Sequence, residues 1–228
     1  MTEQVTIRQL ETYLWGAANF LRNKIDAGDY KGYIFPLVFL KRISDVYDEE
    51  YQKALDESDG DEEHAKSEIN HQFKIPNGCH WNDLRNTSKN IGQKILKLQR
   101  EIEKSNRILF GIFGDANWGN SDRLSDETLL NLIEHFSKID LSVTTIPDDL
   151  MGTGYEFLIK KFADDSGHTA AEFYTNRSVV SLMTELLEPQ PDESVYDPTC
   201  GTGGMLLECV NFLKRKGKDS RTLKLFGQ

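Results

Sequence analysis

Apolar residues recur at spacings of three and four along most of the chain, and the rhythm changes only in its last quarter. Ile7, Leu10, Leu14, Ala17, Leu21 and Ile25 form a stripe that predicts an amphipathic helix, with Gly28 and Asp29 marking its end. A second helix is predicted from about Tyr30 to Leu55. Its apolar content between Ile34 and Ile43 is almost continuous, which implies burial on more than one side, and Pro36 sits near its start, where proline is tolerated. Ile91, Ile95, Leu98 and Ile102 predict another amphipathic helix. A turn-rich stretch, GDANWGNSD at 114–122, leads to a helix from about Asp126 to Lys138, capped by Ser125, with Leu129, Leu132, Ile133 and Phe136 on one face. Tyr155, Leu158, Ile159 and Phe162 predict about three further helical turns.

Beyond Gly167 the pattern alternates. A helix from about Ser178 to Leu187 leads through PQPDE to a short strand, SVYD, then to the glycine-rich CGTGG, a helix from about Met205 to Lys216, and a second strand, LKLFG. This order is a β-α-β unit with its glycines at the carboxyl end of the first strand, where open parallel sheets bind ligands. The domain boundary is expected between about 165 and 172, dividing the chain into 1–166, a helical domain, and 167–228, the start of an α/β domain.

Charge and cysteine content narrow the classes. The chain carries 37 acidic and 27 basic side chains, a net charge of -10, and all but one unit of the excess lies before Thr169. So acidic a front half argues against an unaided grip on nucleic acid, so any DNA contact is expected to need a partner. The acidic run DESDGDEEH at 56–64 is not a calcium loop: with Gly60 at the sixth position, Leu55 and Lys66 occupy places that need oxygen ligands. His64, His71, Cys79 and His80 lack a familiar metal-ligand spacing, and no metal site is expected. Three cysteines without a C-x-x-C pair suggest a reducing cytoplasm, and neither a signal peptide nor a membrane-length apolar run is found.

The glycine loop carries the candidate chemistry. It fails as a phosphate-binding P-loop, because no lysine follows the glycines until Lys214. The dinucleotide fingerprint is met at Gly201 and Gly203 but has Leu206 at its third position, so a dehydrogenase remains a competing reading. Asp197 at the strand tip would repel a pyrophosphate and suits an ammonium or a sulfonium. Cys200 has no nearby histidine in sequence and is read as structural rather than nucleophilic. The basic run 214–218 is read as complementing the negative end of its helix, with Gly217 as the stop.

"DPTCGTGG", 197–204, resembles motif I of the adenine-specific amino methyltransferases. "AAEFYTNRSVVSLM", 170–183, is similar to the segment that precedes motif I in that family, departing from it at Ala170, Ala171 and Asn176, where glycine, glycine and proline are usual. Upstream, 14–47, 127–141 and 152–163 are similar to the helical region of the modification subunits of type I restriction-modification systems. The resemblance implies a mainly α amino-terminal domain followed by the start of an α/β Rossmann-like, S-adenosyl-L-methionine-dependent methyltransferase domain, truncated within it. It implies cofactor binding by Glu172, Phe173, Tyr174, Thr175, Asn176 and Arg177, and by Asp197, Thr199, Cys200, Gly201, Thr202, Gly203 and Gly204. Thr175 or Asn176 would cap the helix that follows.

The implied reaction moves a methyl group to the exocyclic nitrogen of a flipped-out adenine in double-stranded DNA. The implied partners are a specificity subunit, which reads the sequence, a second modification subunit, and in some assemblies a restriction subunit. The family's base-holding [N/D]-P-P-[FY] tetrapeptide does not occur in these 228 residues, and the chain stops one residue before the family's ribose-binding glutamate. No catalytic residue is therefore assigned, and the chain alone is expected not to methylate DNA. A non-catalytic assembly module, docking the specificity subunit or DNA, is the alternative of a different class.

Overall fold

The computed structural model describes residues 5–165, 175, 177–201 and 203–228. It divides into two compact units, Met1–His168 and Thr169–Gln228. The expected boundary at 166 and 167 lies outside the described residues.

The first unit is helical. Helix α1 spans Ile7–Gly16 and opens with a capping box, in which Gln9 N–H donates to Thr6 Oγ1 and Thr6 N–H donates to Gln9 Oε1. The predicted first helix is in fact broken: α2 is a separate turn, Ala18–Leu21, joined to α1 through Ala17. The break coincides with Gly16, where an added Cβ would come within 3.0 Å of His135 Cε1, so close packing of the His135 ring favours glycine here. The stripe survives the break, since Leu10, Leu14, Ala17 and Leu21 are all fully buried.

Helix α3 runs from Tyr30 to Glu57, slightly longer than the pattern indicates, with buried positions on several sides between Tyr33 and Val46. The acidic stretch after it is only partly a loop: Asp61 caps a short helix α4, Glu62–Ala65, by accepting from the amides of Glu63 and His64. A short helix α5, Trp81–Arg85, has no apolar stripe long enough to announce it. Helix α6, Ile91–Ser105, helix α7, Asp126–Phe136, and helix α8, Asp148–Asp165, complete the unit. The last is longer than the three turns its apolar positions suggest. Helix α8 lies against α1 at Gly154, where a Cβ would stand 2.9 Å from Leu14 and 3.0 Å from Leu10 side-chain carbons.

Side chains from α3 fasten the segment that leads into α8. The buried Arg42 guanidinium donates to the carbonyls of Leu141, Ser142 (2.8 Å) and Ile146 (2.7 Å), and to Asp148 Oδ1 (2.7 Å). Asp45 accepts from Leu141 N–H at 2.7 Å and pairs with Lys41. The turn at 114–122 delivers Trp118 to the core, edge-on to Tyr33 with ring centroids 5.0 Å apart.

The second unit holds helix α9, Arg177–Leu187, strand β1, Ser194–Asp197, helix α10, Gly204–Arg215, and strand β2, Lys224–Gly227. The strands pair in parallel, from Ser194 opposite Lys224 to Asp197 opposite Gly227. A parallel pair requires a crossover, and α10 supplies it. Its core is small: Cys209, Phe212, Leu213 and Leu223, with Val195 and Leu225 packed against them. Lys214 and Arg215 fall in the last turn of α10, and Gly217 follows with φ +69°, a helix stop of the expected kind.

Candidate functional site

The glycine loop begins where β1 ends. Asp197 closes the strand and folds back on the next residues: its Oδ1 accepts from Thr199 N–H at 3.0 Å, while its Oδ2 accepts no hydrogen bond among the described residues. The chain then turns, with Gly203 N–H donating to Cys200 O at 2.7 Å. Gly201 has φ +50° and Gly203 φ +76°, left-handed conformations that side-chain-bearing residues adopt at a cost. At both positions the place a Cβ would occupy is open, with nothing within 4 Å. Beyond the adjoining residues, nothing crowds these two positions.

Behind the loop stands the start of α10. Gly203 is its cap, and Leu207 N–H donates to Gly203 O at 2.9 Å. The first amides of a helix have no partners within it and favour negative charge near them. The loop thus offers a carboxylate oxygen at one end and a helix start at the other, with Gly201 and Gly203 between them.

Strand β2 holds the loop from the side. Gln228 N–H donates to Asp197 O at 3.0 Å, and Cys200 N–H donates to Gln228 O at 3.0 Å, so the sheet's hydrogen bonding continues into the loop. Gly227 lies against it: a Cβ there would sit 2.7 Å from Cys200 Sγ, 3.1 Å from Cys200 Cβ and 3.2 Å from Leu206 Cδ1. Tyr196 Oη donates to Gln228 Oε1 at 2.7 Å.

Helix α9 packs against α10. Glu208, buried one turn into α10, meets Arg215 at 2.9 Å and Arg177, the first residue of α9, at 3.9 Å. Arg177 is thereby placed beside the first turns of α10. Of the sequence-predicted residues, the structure places Thr199, Cys200, Gly201 and Gly203 in the loop, Asp197 and Gly204 at the strand and helix ends that bound it, and Arg177 next to the helix that follows it. Thr175 is exposed. Glu172, Phe173, Tyr174, Asn176 and Thr202 lie outside the described residues, as does the expected capping by Asn176.

Gly227, Gln228 and Glu208 were not anticipated. A glycine inside a strand is a sign of close backbone approach, and "LFGQ" carries one at Gly227. Nothing local marks Glu208, whose burial depends on α9 lying over α10.

Elsewhere, no group of three or more His, Cys, Asp or Glu is placed to hold a metal among the described residues. Nor is any described helix long and apolar enough to cross a membrane.

Known proteins give this geometry a context. Residues 10–136 match the family model of the HsdM N-terminal domain, and residues 147–228 match that of the N-6 DNA methylases. The chain is 26% identical over 96% of its length to the type I restriction enzyme MjaIX methylase subunit of Methanocaldococcus jannaschii. It is 27% identical over 64% of its length to the EcoKI methylase subunit of Escherichia coli. It spans 42% and 28% of those relatives' lengths, respectively. The solved type I restriction-modification system methyltransferase subunit from Streptococcus thermophilus superposes with a TM-score of 0.76 at 26% identity, over 98% of this chain and 52% of that one. With more than half its residues in the match to the helical domain and the glycine loop in the match to the transferase domain, the chain belongs to the family of type I restriction-modification methylase subunits.

Proposed function

We propose that the chain contributes to a type I modification enzyme its helical domain and the S-adenosyl-L-methionine-binding opening of its transferase domain. The bare backbone between Asp197 and the start of α10 supports this reading most directly. A ligand could lie against Gly201 and Gly203 without meeting a side chain from those two positions, which suits a cofactor whose ribose and methionine portions must press on the strand end. Asp197 Oδ2, which accepts no hydrogen bond among the described residues, would take the cofactor's ammonium group, and the start of α10 favours negative charge at the loop's other end. Arg177, held beside the first turns of α10 through Glu208, would stand near the methionine end.

Bound there, the cofactor supplies an electrophilic methyl group on its sulfonium. The acceptor is the exocyclic amino group of an adenine turned out of double-stranded DNA. DNA sequence is read by a separate specificity subunit, with a second modification subunit in the same cytoplasmic complex. The acidic front half fits such delegation, since a net charge of -10 opposes unassisted binding to phosphate.

Calorimetric titration tests the reading. S-adenosyl-L-methionine is expected to bind the chain, NAD is not, and Asp197→Ala is expected to weaken binding by roughly tenfold or more, the scale of losing one charge-assisted contact. Preference for NAD, or cofactor binding indifferent to Asp197→Ala, would sink it. The 228 residues contain no consecutive prolines and hence no [N/D]-P-P-[FY]. They are accordingly expected to transfer no labelled methyl to duplex DNA by themselves. An assembly module would instead bind the specificity subunit with no cofactor present and ignore S-adenosyl-L-methionine in the titration.

A further inference from the structure

We infer that Gly227 is a positioning residue for the glycine loop: the hydrogen that stands in place of its side chain lets Cys200 seat against β2 and so sets the height of the loop above the strand ends. This rests on the cofactor reading of the loop and assigns a role to a residue outside it.

The geometry is specific. Gly227 pairs with Asp197 in the parallel register, opposite the residue from which the loop departs. Its neighbour Gln228 brackets the loop with two backbone hydrogen bonds, to Asp197 O and from Cys200 N–H, each 3.0 Å. The loop is thus tied at two points to the backbone that flanks Gly227. A Cβ at 227 would intrude on three atoms at once, at 2.7, 3.1 and 3.2 Å, belonging to Cys200 before the glycines and Leu206 after them. Contacts under about 3.4 Å force the neighbour to move. Cys200 cannot retreat freely, since its amide is held by Gln228 and its carbonyl accepts from Gly203 N–H at 2.7 Å. The displacement therefore passes into Gly201–Gly203, the backbone the ligand would touch. At φ values other than Gly201's and Gly203's, nothing in the conformation of 227 demands glycine, and the requirement is one of space.

This makes Cys200 and Gly227 an interacting pair, and the signature of such a pair is non-additivity. In the wild-type background, Gly227→Ala is expected to raise the dissociation constant for S-adenosyl-L-methionine by tenfold or more. In the C200A background, where Sγ is gone and the nearest clash with it, the same substitution is expected to cost less than threefold. Titration of the four proteins, with far-UV circular dichroism to check folding, reads the result. Should G227A fail to fold, recovery of fold and binding in the double variant supports the assignment, and failure of the double variant also overturns it. Equal losses in both backgrounds, or no loss in either, overturn the positioning role while leaving the cofactor reading intact. Absence of binding by the wild-type chain overturns both.

Discussion

His135 shows how much a single side chain can carry in this protein. Its Nε2–H donates to Tyr13 O at 2.8 Å, its ring stacks on Tyr13 at 4.9 Å, and Phe20 and Phe136 close round it, so one residue of α7 secures α1. Burial, aided by the nearby Lys138 charge, holds its pKa below the ordinary 6.5 despite the Tyr13 carbonyl. A histidine depressed on folding contributes stability that is complete above pH 6.5 and is lost as pH falls from there toward its folded-state value. Urea denaturation between pH 7 and pH 5 is therefore expected to show a fall in stability that is shallower in His135→Gln, whose amide can still reach Tyr13 O. An identical slope in the two proteins would remove His135 as the cause. His80 works in the opposite sense. Burial is the strongest single influence and lowers its pKa, but the hydrogen bond and charge of the Asp48 carboxylate, 3.1 Å away, together with the Ser44 carbonyl and the Asp83 charge, carry it above the ordinary 6.5, so its contribution is complete below 6.5 and declines as pH rises. Neither role was legible from the residues alone, because both depend on partners from distant parts of the chain. The glycines were legible, since a dense cluster of them at a strand end has few structural explanations.

At the scale of elements, helix α6 is pinned at its start from outside itself. Asn90, in a left-handed conformation, cannot cap it by side chain, and the Asp126 carboxylate accepts from Asn90 N–H and Ile91 N–H, each at 2.8 Å. One residue further, Gly92 meets the turn that carries Trp118: a Cβ would stand 1.9 Å from Trp118 O. Glycine to alanine inside a helix ordinarily stabilises by about 1 kcal/mol. Here the sign should reverse, because the obstacle is backbone and overpacking costs roughly 1–3 kcal/mol or more. Gly92→Ala is expected to destabilise by about 2 kcal/mol in chemical denaturation, and a stabilised variant would contradict the contact. Periodicity located the long helices, as for α3 and α6, because each buries a stripe against its neighbours. It missed α5 and misjudged α1, whose stripe runs on across the break at Ala17, since burial pattern records which face is inward and not whether the axis continues.

For the whole molecule, the two units differ in what sustains them. The first has an extensive apolar core; the second, among the described residues, rests on a small cluster and one pair of strands. All three tryptophans, Trp15, Trp81 and Trp118, lie in the first. A ligand that binds only the folded second unit stabilises it by about 2.7 kcal/mol at a concentration a hundred times its dissociation constant. S-adenosyl-L-methionine is accordingly expected to slow amide exchange in β1, the loop and β2 while leaving the tryptophan-detected transition of the first unit unmoved. Equal protection of both units, or of neither, would count against a cofactor site confined to the second. Family and fold class were legible in the sequence because the helical stripes and the glycine loop are local patterns. The role of β2 in fixing the loop was not, as it depends on pairing across some thirty residues of intervening chain.

That pairing also sets an order of events during synthesis. The ribosome makes residues 198–203 before α10, and α10 before Lys224–Gly227, so the loop is complete while the strand that will brace it is still unmade. Cys200 N–H and Asp197 O acquire their backbone partners only when Gln228 arrives. Until then the nascent chain has the residues of the site without its shape, and cofactor has nothing finished to select.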